Sequence, residues 1–273
     1  MKRIFFLSLL LAIISCSSEP YVIVQIADAQ LGFTATSQCQ KEKTEYNNDV
    51  TYEVECLAKA VALVNELKPD AVVFTGDQVH HPLNEIELDA FAQQAEGIAD
   101  GIDVFYLPGN HDVLIGEEQV DMSPFTKRFG EGTFLSVKKG VRMVGLNSNF
   151  IKYNDPREND QLEWLRGALK KSRKNEVSLL FCHHPFFLNE VDEADGYFQI
   201  QASKRQRYME LFESNGVDAV YAGHLHNNSA GSYKEIPVVT TTSVAYQIGG
   251  PQPSVRIIKV EDGTVSDELV PIG

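Results

Sequence analysis

The sequence predicts a mixed α/β protein of four layers, α/β/β/α, with two mixed sheets packed together and flanked by helices. Three observations predict it. Strand-like apolar runs alternate with amphipathic helical patterns up to about residue 222. Short strand patterns then follow one another to the C-terminus. Finally, all seven histidines fall in four segments that each follow an apolar run: Gly76–His81, Gly109–Asp112, Cys182–Pro185 and Gly223–Asn227. A fifth run, Tyr21–Ala27, ends at Asp28. Histidines placed for packing or solvation would not sort this way. Such sorting predicts one site at strand ends, rich in nitrogen and oxygen ligands, and hence a metalloenzyme.

The elements follow in order. Met1-Lys2-Arg3 is a basic start and Ile4–Ile14 an apolar run too short to span a bilayer stably. Ile13-Ile14-Ser15-Cys16 resembles a bacterial lipobox, so residues 1–15 read as a signal peptide, 16–20 as a tether lipidated at Cys16, and 21–273 as one domain. The expectation is an exported lipoprotein anchored to the cell envelope, on its periplasmic or surface face.

Tyr21–Ala27 reads as a buried strand and the polar stretch Leu31–Val50 as a loop. Tyr52–Lys68 carries Val54, Leu57, Val61, Val64 and Leu67 at helical spacing, and Pro69-Asp70 ends it. Ala71–Thr75 is a strand, Glu85–Ala99 a helix and Asp103–Leu107 a strand. Thr133–Val137 and Val141–Leu146 flank Lys138-Lys139-Gly140, a hairpin signal. Asp160–Lys171 places Leu162, Leu165 and Leu169 on one helical face. Val177–Cys182 is a strand, Lys204–Ser214 a helix and Val217–Ala222 a strand. Ser229–Tyr233, Pro237–Thr242, Val255–Val260 and Thr264–Asp267 complete the strand set.

Length and composition suit one large domain: 273 residues, 43% hydrophobic and 23% charged. Net charge is −14, and loss of Lys2 and Arg3 with the leader takes it to −16. Such a surface repels nucleic acid at long range, so no nucleic-acid partner is expected. It does not exclude a small phosphate ester, because a local metal pair dominates at short distance. Three cysteines remain beyond Cys16. An exported compartment permits a disulfide, and Cys39–Cys56 is the pair to consider. Without a Cys-x-x-C there is no support for sulfur ligation of zinc.

Strand ends deliver Asp28, Gln30, Asp77, Asn110, His111, Asp112, His183, His224 and His226. In open α/β sheets, ligands bind beyond the carboxyl ends of strands, so these residues can converge although nearly 200 positions separate them. Carboxylates, amide oxygens and imidazoles suit Zn, Mn or Fe. Two ions roughly 3.5–4 Å apart need a bridging carboxylate, and a buried Asp such as Asp77 supplies one.

The order Asp28-x-Gln30, Gly76-Asp77, Gly109-Asn110-His111-Asp112, His183-x-Pro185, Gly223-His224-x-His226 resembles the calcineurin-like metallophosphoesterases. That family usually has Asp-x-His first. The Asp-x-Gln form is similar to the subfamily of the vertebrate calcineurin-like phosphoesterase domain-containing protein, whose cytosolic members act as Ser/Thr protein phosphatases. Leu146–Asn149, Asp160–Leu165 and the loop Asn189–Phe198 are similar to it too.

The resemblance implies two divalent metals. Asp28, Gln30, Asp77 and His226 would hold the first, and Asp77, Asn110, His183 and His224 the second. It further implies phosphate-ester hydrolysis by a metal-bound hydroxide, with His111 as general acid and Asp112 orienting it. Gln30 is a weaker donor than imidazole, so the first site is expected to be the looser. Position 80, tyrosine in purple acid phosphatases, is histidine here, so no iron–tyrosinate centre is expected.

Other residues keep two readings. His184 is expected to pack beside the ligand His183. His80 and His81 either contact substrate or cap the next loop, and Asn147 and Asn149 either line the pocket or form a turn. Asn189–Tyr197 is either a solvated acidic loop or a lid. Lys170, Lys171, Arg173 and Lys174 suit a helix C-terminus. A phosphomonoesterase leads. A phosphodiesterase acting on nucleotide or phospholipid-derived esters, and a weakly catalytic lipoprotein that binds phosphorylated ligands or metal, stay open.

Overall fold

The computed structural model describes residues 19–171 and 176–273. The expected leader with Cys16, and Arg173 and Lys174, lie outside the described residues.

In chain order, the first part contains β1 (Tyr21–Ile26), α1 (Phe33–Glu42), α2 (Thr51–Leu67), β2 (Ala71–Thr75), α3 (Glu85–Ala95) and β3 (Asp103–Leu107). A small hairpin follows, β4 (Leu114–Ile115) and β5 (Val120–Asp121), and then α4 (Ser123–Phe129). The middle holds β6 (Phe134–Lys138), β7 (Val141–Gly145), α5 (Ser148–Lys152), α6 (Glu158–Ala168), β8 (Val177–Phe181), α7 (Ala202–Ser214) and β9 (Ala219–Ala222). Four strands end the chain: β10 (Ser229–Tyr233), β11 (Ile236–Thr240), β12 (Ser254–Glu261) and β13 (Thr264–Pro271).

Among the described residues these strands form two large sheets. One has the order β13-β12-β1-β2-β3, the other β10-β11-β9-β8-β7-β6. The strands joined through helices run parallel: β1 with β2, β2 with β3, β7 with β8, and β8 with β9. Of the late strands, β11 joins β9 in parallel, while β10, β12 and β13 add antiparallel pairings, with Ile23 opposite Ile258 where β12 joins β1. Every residue of β2 and β8 is buried, which explains why both read as unbroken apolar runs.

The four expected layers follow from what each face covers. Ile23, Val73 and Leu107 of one sheet meet Met143, Leu179 and Tyr221 of the other. Leu57, Val61 and Val64 of α2, with Leu88 and Phe91 of α3, cover the outer face of the first sheet. Leu162 and Leu165 of α6, with Tyr208 and Phe212 of α7, cover that of the second. No described helix is long and apolar enough to cross a membrane.

The structure departs from expectation in several places. Residues 33–42, expected as loop, form α1. Its start is held from outside, because the buried Glu53 carboxylate of α2 accepts the Thr34 N–H at 2.8 Å. The short α4 and α5 were not expected. Cys39, Cys56 and Cys182 are buried free thiols, so no Cys39–Cys56 disulfide forms.

Candidate metal centre

Each segment of interest leaves a strand at the same edge of the sandwich. Past β1 and β2 the chain stays paired, through Asp28 N to Gly76 O (3.2 Å) and Gln30 N to Asp77 O (2.7 Å). The two sheets are then stitched together. The His224 N–H donates to the Asp28 carboxylate (2.9 Å), and His183 Nδ1 donates to Thr75 O (2.9 Å). Residues from four strand ends are thereby brought to one point.

The backbone is unusual at these positions. Asp28, Gln30, Asp77, His224 and His226 all have left-handed φ, between 40° and 68°. Non-glycine residues rarely adopt it, at a cost on the order of 1–3 kcal/mol each, and such strain clusters at functional sites. Space is equally tight. A Cβ at Gly109 would overlap the Asp77 carboxylate, and one at Gly76 would sit 2.5 Å from His183 Nδ1.

Hydrogen bonds decide which atom of each ring faces inward. Because His183 Nδ1 donates to a carbonyl, its Nε2 carries a lone pair. That Nε2 lies 3.1 Å from Asn110 Oδ1 and 3.5 Å from Asp77 Oδ2. Three acceptors therefore face one another, and His224 Nδ1 is 3.1 Å from the same nitrogen. On the other side, His226 Nδ1 donates to Tyr246 O (2.7 Å), which leaves Nε2 facing Asp28 Oδ1 at 3.7 Å. The Asp28, Asp77 and His226 ligand atoms lie within 4.8 Å of one another, as do those of His183, His184 and His224.

Electrostatics agree with this arrangement. Burial and the Asp77 charge push the Asp28 carboxyl well above its ordinary range. Burial opposes the Asp77 charge too, but that carboxyl is held below its ordinary range by the histidines around it, whenever one is protonated, and by the His111 N–H that it accepts at 2.8 Å. Burial keeps His183, His224 and His226 below the usual imidazole value, hence neutral and able to ligate. Burial, with His111 and His81 nearby, pushes His80 down to about 3.

The donor set fits two cations. Gln30 Oε1 is buried and, among the described residues, has no hydrogen-bond partner. A buried acceptor left without a donor costs free energy, and a bound cation would remove that cost. Asp28, Gln30, Asp77 and His226 would hold one ion, and Asp77, Asn110, His183 and His224 the other.

Other expectations are corrected or resolved. Asp112 does not orient His111. Its carboxylate accepts the Gly109 (2.7 Å), Gln78 (2.8 Å) and Val79 (3.3 Å) N–H groups and so clamps two ligand loops together. His111 is held by His80, whose carbonyl accepts from its Nδ1 at 3.0 Å. Asn149 is a brace, donating to Pro108 O and Gly109 O beneath the Asn110 turn. His184, expected to pack, is buried and bonded to Ser148 Oγ, yet its ring lies only 4.5 Å from that of His224. Sequence reasoning had no signal for that approach.

The loop Asn189–Phe198 is structured. The buried guanidinium of Arg205 donates to Ile200 O and Glu193 O (both 2.6 Å), and the Glu193 carboxylate accepts the Leu188 and Asn189 N–H groups. At its end Tyr197, 65% exposed, stands 5.3 Å from the His224 ring.

Two sheets joined at their carboxyl edges around paired acidic and imidazole ligands define a two-metal hydrolase fold. Residues 21–228 match the calcineurin-like phosphoesterase family, so the chain belongs to that family and is a metallophosphoesterase. It is 29% identical over 262 residues to the serine/threonine-protein phosphatase CPPED1 of Danio rerio, covering 91% of this chain and 84% of that one. It is 27% identical over 227 residues to a probable cyclic nucleotide phosphodiesterase of Rhodococcus erythropolis, covering 76% and 71%. Its fold is like that of a dimetal phosphatase from Danio rerio, with a TM-score of 0.64 at 15% identity over 93% of this chain and 99% of that one.

Proposed function

We propose that the chain hydrolyses phosphomonoesters at a two-cation centre, with His111 as proton donor to the leaving oxygen. The observation that carries this reading is the set of acceptors on either side of Asp77, which face each other in pairs that a cation reconciles. Divalent cations bound there would lower the pKa of water and draw charge from the phosphoryl oxygens. The protein does the rest by positioning. Asp28 ties the two sheets together by accepting the His224 N–H, and Asp77 accepts the His111 N–H at 2.8 Å. The His80 carbonyl keeps the proton on His111 Nδ1, so Nε2 is the atom that takes and gives the mobile proton.

The monoester preference is favoured by the relatives named as protein phosphatases, and the relative named as a phosphodiesterase favours a second reading, hydrolysis of diesters. Hydrolysis of p-nitrophenyl phosphate and its bis-ester with Mn(II) separates them. Wild type should turn over the monoester faster, and His111→Ala should lose roughly 10²–10⁴-fold in rate. If wild type is no faster than Asp77→Asn on both esters, the catalytic reading fails and a phospho-ligand or metal-binding role takes its place.

We also infer export and lipid attachment at Cys16, on the strength of the basic start, the apolar run Ile4–Ile14 and Ile13-Ile14-Ser15-Cys16. Labelling with a radioactive fatty acid should mark the wild-type chain, and label retained by Cys16→Ala would refute the attachment.

A further inference from the structure

Gln30 poses a problem that histidine at the same position would not. An imidazole whose other nitrogen is bonded presents one lone pair, whereas an amide turned end for end presents an NH2 group. With its NH2 inward, Gln30 would repel a cation. Something must decide which end faces the centre.

The neighbouring segment supplies the answer. Gln30 Nε2 donates to His80 Nδ1 at 3.2 Å, which leaves Oε1 as the free end of the amide, buried and without a hydrogen-bond partner among the described residues. His80 is itself held on several sides. Its ring stacks on His111 at 4.6 Å and meets the edge of Phe33 at 5.2 Å. Its backbone N–H is shared between Leu31 O (2.9 Å) and the Glu87 carboxylate (3.1 Å), and the His81 N–H donates to that same carboxylate oxygen (2.7 Å). Glu87 is wholly buried, and its other oxygen accepts from Tyr46 Oη (2.6 Å) and faces His81 Nδ1 (2.6 Å).

We propose that His80, anchored by Glu87, is a positioning residue that presents the Gln30 carbonyl oxygen to the first cation. It rests on the reading of Gln30 as a ligand. The same short segment carries the carbonyl that holds His111, so one anchored loop sets the face of a ligand and the tautomer of the proton donor. The exchange is a compensation. The imidazole absent from position 30 is replaced by an amide together with an imidazole that orients it.

The test is a Mn(II) binding isotherm of the metal-stripped chain, with a melting curve for each variant to confirm folding. His80→Phe keeps the ring and removes the acceptor, and it should weaken one of two Mn(II) sites by roughly 10–100-fold while sparing the other. His80→Asn can return an acceptor near the place of Nδ1 and should recover most of the affinity. In a Gln30→His background, His80→Phe should change the affinity by no more than about threefold, because no amide is left to orient. An equal loss in both backgrounds, or no loss in wild type, would overturn the positioning role while leaving Gln30 a ligand. If Gln30→Ala itself leaves both Mn(II) sites intact, the ligand reading falls and the positioning role falls with it.

Discussion

At the scale of single residues, the centre is made by side chains forced into close quarters. Gly109 shows how close. Any side chain there would enter the space of the Asp77 carboxylate, the group proposed to serve both cations. Gly109→Ala should therefore fold but move Asp77, lowering kcat/KM on p-nitrophenyl phosphate by on the order of 100-fold, since misplacement by about 1 Å costs that much. Circular dichroism beside the kinetics will separate this from unfolding, and unchanged kinetics would mean the turn yields without moving the carboxylate. The convergence of Asp28, Asp77, His183, His224 and His226 was legible in the sequence at this scale, because Asp and His after apolar runs are visible without a structure. The role of Asp112 was not. A carboxylate next to His111 in the chain bonds three main-chain N–H groups instead, and only the loop geometry shows it.

At the scale of elements, strands were read closely and short helices were not. β2, β3 and β10 fall where their apolar and turn patterns put them. α1 was missed because its stabilising cap, Glu53, comes from another helix rather than from its own first turn. Connections carry similar long-range ties. Asp155, before α6, accepts from Val120 N of β5 (2.7 Å) and from the Arg157 guanidinium (2.7 Å). Burial works to raise this carboxyl, but Arg157 and the two N–H donors outweigh it and hold it below the ordinary value. Its contribution is thus present above the unfolded pKa of about 3.9 and is lost as pH falls through the lower folded value. Asp155→Ala should cost about 1.5–3 kcal/mol at neutral pH, and the gap to wild type should close in melts below about pH 4. A gap that persists there would show that packing, not the charge, is what Asp155 contributes.

At the scale of the whole molecule, the centre lies on the seam between two sheets. Asp28, Gln30, Asp77 and Asn110 follow strands of the first, and His183, His224 and His226 follow strands of the second. A cation held by both binds the native state alone, so at a free concentration 100 times Kd it should add about 2.7 kcal/mol. At about 2–4 °C per kcal/mol, chelation should lower Tm by several degrees and Mn(II) should restore it. A Tm indifferent to chelator would argue that the seam is complete without metal. The sequence by itself determined the four-layer α/β architecture, the family and the residue types that gather at the strand ends, because periodicity and residue type are local and survive in one dimension. Only the tertiary structure decided which ring nitrogen faces inward, that Cys39 and Cys56 stay free, that Glu53 starts α1 and that His80 turns Gln30. Each of these depends on a contact between groups far apart in the chain, and no local pattern encodes the direction in which two distant side chains meet.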